Sequence, residues 1–363
     1  MKVLIGGDIS VNDSAELFAQ QNEKALFNDL IPVFESADRV VVNVECAITN
    51  AKQGIEKIGP CLKAPIGTAE TLKKAGVTDC VLSNNHIFDF GSKGVLDTIT
   101  ELEKNGLQWT GFGENDVAAR KNLILSDGKV RVALIAVCEH EYSYALPDRM
   151  GAREYDPYDT SDDIVEAKKQ ADFVIVTYHG GKEHCRYPSP RLRKLCRSMI
   201  KHGADVILCQ HSHCIGCYEN FENGHILYGQ GNFHFVKAKY SQGAAADRWN
   251  NGLLVELQFT KKCEVNFLPV VVDGLGIRFA NEKEKTEILS GFEQRNESLK
   301  TDEWRKGWRE FCLGSQGLYE EAAQSYGKEQ TEQSKQWFAH YLDCEAHTDV
   351  WRELFPTWNK TNE

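Results

Sequence analysis

Asp205-Val206-Ile207-Leu208-Cys209-Gln210-His211-Ser212-His213 is the stretch whose reading decides the fold. Val206 to Cys209 form a short continuous apolar run rich in β-branched residues, the pattern of a strand buried on both faces. The run stops at Gln210, and two histidines follow with one residue between them. On an extended backbone, residues two apart point the same way, so both imidazoles are expected to project together from the strand's end. Imidazole is the commonest metal ligand among side chains, and two on one side make half of a site. A pair of solvent-facing histidines in a turn is the alternative reading.

The same grammar recurs along the chain. Val3-Leu4-Ile5 leads through Gly6 and Gly7 to Asp8, and Val40-Val41-Val42 leads to Asn43 and Glu45. Cys80-Val81-Leu82 leads to Asn84, Asn85 and His86, with Asp89 just beyond, and Phe173-Val174-Ile175-Val176 leads to His179. Each is a buried-type strand followed at once by a potential ligand or proton-transfer group. In open α/β sheets such groups gather where the carboxyl ends of the strands emerge. Asp8, Glu45, Asn85, His179, His211 and His213 are therefore expected in one small cluster.

Length and composition frame this reading. The 363 residues are enough for one large α/β domain with an appendage. A formal net charge of −11 argues against a nucleic-acid partner, which wants a basic face. It leaves room for a phosphorylated substrate, because bound divalent cations would invert the local field. The chain opens Met1-Lys2-Val3-Leu4-Ile5 and enters a functional strand without the pattern of a signal peptide. No apolar run approaches the ~20 residues of a membrane span, and a cytoplasmic protein is expected. The twelve cysteines read as reduced, with Cys46, Cys80, Cys138 and Cys209 in or beside strands as small apolar residues. Cys214-x-x-Cys217 lacks the second pair that a structural zinc site needs.

Taken in order, the first third reads as repeated β-α units. Helical spacing over residues 15–34, with a turn or kink at Pro32, precedes a strand at Arg39–Val44 and a breaker-rich loop over residues 49–65. A short helix is expected to stop at Gly76, and another to run from residue 94 to 105. Residues 142–163 are expected as an ordered loop, with a helix over 162–171 and a basic amphipathic helix over 190–202. Glu139, His140 and Glu141 form a polar cluster that either faces the site or is a solvated loop. Alternating strands over 253–259 and 265–272 are expected to close a second sheet. Beyond Gly276 the chain becomes charged and helical in period, with aromatic anchors such as Trp304, Trp308 and Trp351. The expected division is a domain over 1–280 and a helical extension over 281–363.

With the ligand series assembled, the sequence resembles the CapA-type proteins of capsule and poly-γ-glutamate synthesis, within the calcineurin-like metallophosphoesterase superfamily. The resemblance spans residues 1–272. It rests on Gly7-Asp8, Asn43-x-Glu45, Asn84-Asn85-His86-x-x-Asp89-x-Gly91, Gly111-x-Gly113, His179-x-Gly181-x-Glu183, His211-x-His213 and Tyr228-x-x-Gly231-Asn232-Phe233. It implies a four-layer α/β/β/α sandwich with a two-metal centre, to which the helical extension is appended. Asp8 and His213 would serve one metal, Asn85, His179 and His211 the other, and Glu45 would bridge. His86, oriented by Asp89 and made more basic by it, would protonate the leaving group. Many members of the wider superfamily have Asp-x-His at the first motif, whereas here Asp8 is followed by Ile9 and Ser10, and Glu45 replaces the usual bridging aspartate. The first metal would then be held by fewer protein ligands.

Such neutral and carboxylate donors suit two divalent metal ions, Mn, Fe or Zn. Two such cations ~4 Å apart acidify a bridging water and clamp the oxygens of an in-line phosphoryl displacement. Lys63, Asn84, Glu183 and Asn232 are candidates for substrate binding, and Lys63, Lys182 and Arg186 for anion contacts. The expected function is a metal-dependent hydrolase, a phosphoesterase acting on a small phosphorylated or polymer-related substrate. The alternatives are cleavage of an amide bond in such a polymer, and a non-catalytic partner in capsular polysaccharide or poly-γ-glutamate synthesis. An amidohydrolase barrel fits less well, because such barrels place His-x-His on the first strand and here it comes late.

Overall fold

In chain order the long strands are β1 (Lys2–Ser10), β2 (Arg39–Val44), β3 (Asp79–Val81), β4 (Gln108–Thr110), β5 (Leu123–Ser126), β6 (Arg131–Cys138) and β7 (Phe173–His179). They are followed by β8 (Val206–Gln210), β9 (Tyr218–Phe221), β10 (Gly224–Leu227), β11 (Asn232–Phe235), β12 (Asn251–Phe259), β13 (Cys263–Asp273) and β14 (Gly276–Phe279). The computed structural model describes residues 1–237 and 246–357, so the last six residues of the expected extension lie outside it. One sheet runs β14-β13-β12-β1-β2-β3-β4, with β11 also paired to β1. The other runs β9-β10-β8-β7-β6-β5. Strands β1 to β4 are parallel neighbours, as are β6, β7, β8 and β10.

Alternate side chains of these strands go to different cores. β1 sends Val3 and Ile5 between the sheets, and Leu4 and Ile9 outward. β6 divides Val132, Leu134 and Ala136 from Ala133, Ile135 and Val137 in the same way. The outer face of the first sheet is covered by α1 (Thr68–Ala75), α2 (Gly91–Lys104) and short helical turns between Ala15 and Glu35. That of the second is covered by α3 (Pro157–Gln170) and α4 (Pro190–Lys201). The result is a four-layer α/β/β/α sandwich. A one-residue slip would exchange the two faces of a strand, and each buried aliphatic side chain is worth about 1.5–3 kcal/mol, so the register is firmly held.

Three local expectations need correction. Residues 15–34 do not form one helix; they make Ala15–Ala19, Glu23–Phe27 and Ile31–Glu35, with Asn28 at a positive φ of 44°. β12 and β13 do not close the second sheet. They extend the first, antiparallel beside the edge of β1 that β2 leaves open, because alternation marks a half-buried strand without naming its neighbour. α3 begins at Pro157 rather than residue 162. The Asp156 side chain accepts from Tyr158 N and Asp159 N, and Pro157 supplies a pre-set φ for the first turn.

The C-terminal helices are α5 (Glu282–Ser298), α6 (Glu303–Glu329), α7 (Glu332–Asp343) and α8 (Glu345–Leu354). Phe292 of α5 joins the core between the sheets, and Leu299 and Trp304 join the outer core of the second sheet. Trp308, Cys312, Tyr319 and Val350 pack with Cys185 in a cluster of their own. Glu345 accepts from His140 N at 2.9 Å, and Asp349 accepts from Ser189 Oγ at 2.6 Å and Arg191 Nε at 2.9 Å. The helices are thereby fastened to the segments that leave β6 and β7. Among the described residues no helix is long and apolar enough to cross a membrane.

Candidate metal centre

The carboxyl ends of β1, β2, β7 and β8 and the loop after β3 meet between the two sheets. β1 reaches this point through Gly7, where a Cβ would lie 2.7 Å from the Gly231 carbonyl oxygen. Asp8 is wholly buried, and its carboxylate accepts from Asn43 Nδ2 at 2.7 Å and from His211 N at 2.9 Å. Burial alone would raise its pKa, but His179, His213 and the Asn43 hydrogen bond outweigh burial and hold it at about 2. Glu45 follows β2 and is also wholly buried; burial first, then the charge of Asp8, pushes it up to about 8. His179 Nε2 lies 3.1 Å from Asn85 Oδ1 and 3.6 Å from Glu45 Oε1, and its Nδ1 is 3.7 Å from Asp8 Oδ1. Burial opposes charge on His179, yet Glu45 and Asp8 prevail and push it up to about 10.

The six residues singled out from the strand ends therefore come together. Their donor atoms form two triads, Asp8, Glu45 and His213, and Glu45, His179 and His211, each with its atoms within 4.8 Å of one another. Glu45 is common to both, and Asn85 stands beside the second. Among the described residues Glu45 Oε1 and Oε2 and His211 Nδ1 are buried without a hydrogen-bond partner. The buried Asp8 carboxylate and the orphaned acceptor atoms of Glu45 and His211 suit added positive charge, so the donor set fits divalent cations. Ser10, where a fourth donor beside the first triad would stand, instead accepts from Asn12 Nδ2 at 2.9 Å.

The histidine pair converges for a different reason from the one expected. β8 ends at Gln210, and His211 and His213 then adopt left-handed backbone, with φ of 77° and 53°. Such angles are uncommon away from glycine and concentrate at functional sites. The pair is aimed by this turn rather than by strand alternation. Burial pushes both imidazoles down to about 4, which keeps them neutral, the ligand form, at neutral pH. Asn232 Oδ1 lies 2.8 Å from His213 Nδ1, and its Nδ2 donates to Trp249 O at 2.8 Å. Asn232 thus orients His213 and leaves Nε2 towards the cluster.

His86 Nδ1 lies 2.6 Å from Asp89 Oδ2, which also accepts from Leu62 N at 2.6 Å. The expected rise in basicity does not follow. Burial and the charge of Lys57 push His86 down to about 4 despite Asp89. Lys57 is a residue the sequence reading missed. Its side chain is 2 % exposed, with Nζ 2.5 Å from Asp89 Oδ1 and 3.2 Å from His86 Nδ1. It also lies 4.9 Å from the centre of the Tyr142 ring, which stacks on His340 at 5.0 Å. Glu141 closes the same wall, 3.6 Å from His211 Nε2 on one side and 3.6 Å from His340 Nε2 on the other. Nothing local marks Lys57, one charge in a breaker-rich loop, or His340, on a helix far along the chain.

The remaining candidates are placed less centrally. Asn84 donates from Nδ2 to Asn43 Oδ1 and Val44 O, both at 2.9 Å, and accepts from His86 N, so its amide braces the loops. Lys63 donates to Ala51 O at 2.9 Å and lies over the Phe90 ring, with no bond to the cluster among the described residues. Glu183 is at the margin, 3.9 Å from His213 Nε2 and 3.9 Å from Lys182 Nζ. Arg186 lines a separate cavity. Of the polar cluster after β6, Glu139 is buried against Tyr178 and Arg191, and Glu141 faces the site.

A family model described as bacterial capsule synthesis protein PGA_cap matches residues 2–237. The chain belongs to this family. Over 238 residues it is 32% identical to the PGA biosynthesis protein CapA of Bacillus subtilis (strain 168), covering 63% of this chain and 62% of that protein. Over 239 residues it is 30% identical to the capsule biosynthesis protein CapA of Bacillus anthracis, covering 63% of this chain and 58% of that protein. The PGA_cap chain thus spans about three fifths of the length of these relatives. Among solved structures, a hypothetical protein from Thermus thermophilus aligns with a TM-score of 0.48 at 16% identity, covering 77% of this chain and all of that one. Every donor of the two triads lies inside the matched region, whereas His340, Glu345 and Asp349 lie outside it.

Proposed function

We propose that this PGA_cap protein is a metal-dependent hydrolase, a phosphoesterase whose two divalent cations (Mn, Fe or Zn) are held by Asp8, Glu45, Asn85, His179, His211 and His213. The observation that carries the reading is the pair of buried triads sharing Glu45, whose two oxygens have no hydrogen-bond partner among the described residues. Divalent cations, when bound, supply Lewis-acid activation of water and of phosphoryl oxygens. The chain's own residues do the rest. Asp89 holds His86 at Nδ1, which leaves Nε2 as the atom that gives a proton to the departing oxygen. An anionic substrate beside His86 would raise its pKa from this low value, since a nearby negative charge favours imidazolium. Lys57 anchors Asp89 and adds a positive charge next to where the phosphoryl group would sit. The twelve cysteines form no disulfide among themselves, which supports placement in the cytoplasm.

Family membership favours a second reading. The protein would serve capsular polysaccharide or poly-γ-glutamate synthesis, either by cleaving an amide bond in the polymer or by binding it without turnover. Elemental analysis of the purified protein, run beside a phosphatase, phosphodiesterase and γ-glutamyl amidase panel with added Mn, separates these readings. Metal together with phosphoester turnover supports the proposal. Metal with amidase turnover alone, or a folded protein with neither metal nor turnover, overturns it in favour of the second.

A further inference from the structure

None of the metal-centre donors lines a second cavity, of about 370 Å³, whose walls include Arg186, Ile215, Asn250, Asn251, Glu287 and Arg295. The loop after β7 carries Arg186 there, and Cys217 Sγ donates to its carbonyl oxygen at 3.3 Å. The same loop carries His184, whose backbone N–H donates to Ser212 O at 2.7 Å. Arg295 comes from α5, with Nε donating to Gly216 O at 3.0 Å, which fixes the plane of its guanidinium.

The electrostatics of this cavity are unbalanced. Arg186 Nε is buried without an acceptor among the described residues. Among the described residues neither guanidinium forms an ion pair, and the side-chain amides of Asn250 and Asn251 make no hydrogen bond. Of the two carboxylates in the wall, Glu284 is bound by Arg278 at 2.7 and 2.9 Å, and Glu287 pairs with neither arginine. Burial, and the like charge of Arg186, lower the pKa of Arg295. Two guanidiniums held near each other with a buried, unsatisfied N–H are unfavourable unless an anion joins them. The planar guanidinium fork matches the paired oxygens of carboxylate and phosphate groups.

We propose that Arg186 and Arg295 form a second binding site, separate from the metal centre, for an oxyanion of the carboxylate or phosphate class. Asn250 and Asn251 supply further donors, and Ile215 forms an apolar wall.

The test is isothermal titration of the full chain with inorganic phosphate and with glutarate, in chelator and at constant ionic strength. Chelator removes the metal centre as a competing anion site, so the result does not depend on the phosphoesterase reading. The expected result is saturable binding of one or both anions, weakened at least 10-fold in Arg186→Gln. The anion that saturates identifies the source. Among the described residues Arg186 makes no side-chain hydrogen bond, so the variant should fold and, without anion, melt no lower than wild type. Absence of saturable binding to either anion, or equal binding by wild type and Arg186→Gln, would overturn the proposal.

Discussion

A carboxylate with both oxygens buried and without a hydrogen bond is costly to keep ionised, and among the described residues Glu45 is such a group. Glu45→Gln keeps the shape and removes the charge. In chelator this variant should melt above wild type, and with Mn the order should reverse; calorimetry in the two buffers reads both arms. At His86 the roles of acid and mere support separate through the leaving group. His86→Asn should retain its metal while turnover falls roughly 10²–10⁴-fold, less for substrates with good leaving groups. Loss of the metal, or an equal loss across leaving groups, would remove the assigned role. That these six residues meet at one point was legible in sequence because each comes shortly after a buried-type strand. Lys57 was not, because a loop's path is set by long-range contacts, here the reach of Lys57 to Asp89.

Between elements, the loop after β6 is tied to α7 and α8 by charge. His140 sits 3.7 Å from Asp343 and is paired with Glu154; Asp343 and Glu154 outweigh partial burial and push it up to about 10. A folded-state pKa above the ordinary 6.5 means the stabilisation is fully present below about 6.5 and is lost as pH rises through about 10. Melting temperature should therefore fall between pH 7 and 10, and fall less in His140→Gln; identical slopes would show that this pair does not hold the helices. Strand periodicity predicted most elements here. It could not assign β12 and β13 to a sheet, and it passed over the Asp156-Pro157 signal that starts α3, since the surrounding Pro, Asp and Tyr residues read as a loop.

At the scale of the molecule, the C-terminal helices complete cores that the sandwich opens. Phe292 fills space between the sheets, and Trp304 closes the outer core of the second. Loss of a buried aromatic costs about 3–5 kcal/mol, so a chain cut after residue 280 should lose its cooperative melt. A sharp transition near that of the full chain would show that the helices are dispensable. The four layers were legible because strand alternation and helix stripes dictate what must be covered. The closure of the site by His340 and Tyr142 was not, since it joins residues far apart in the chain. The central claim, that Glu45 is shared between two cations, is tested most directly by anomalous diffraction from Mn-soaked crystals. The account predicts two peaks flanking Glu45, one beside Asp8 and His213 and the other beside Asn85, His179 and His211. The first, with fewer protein donors, should fade sooner in chelator. A single peak away from Glu45, or none, would contradict it.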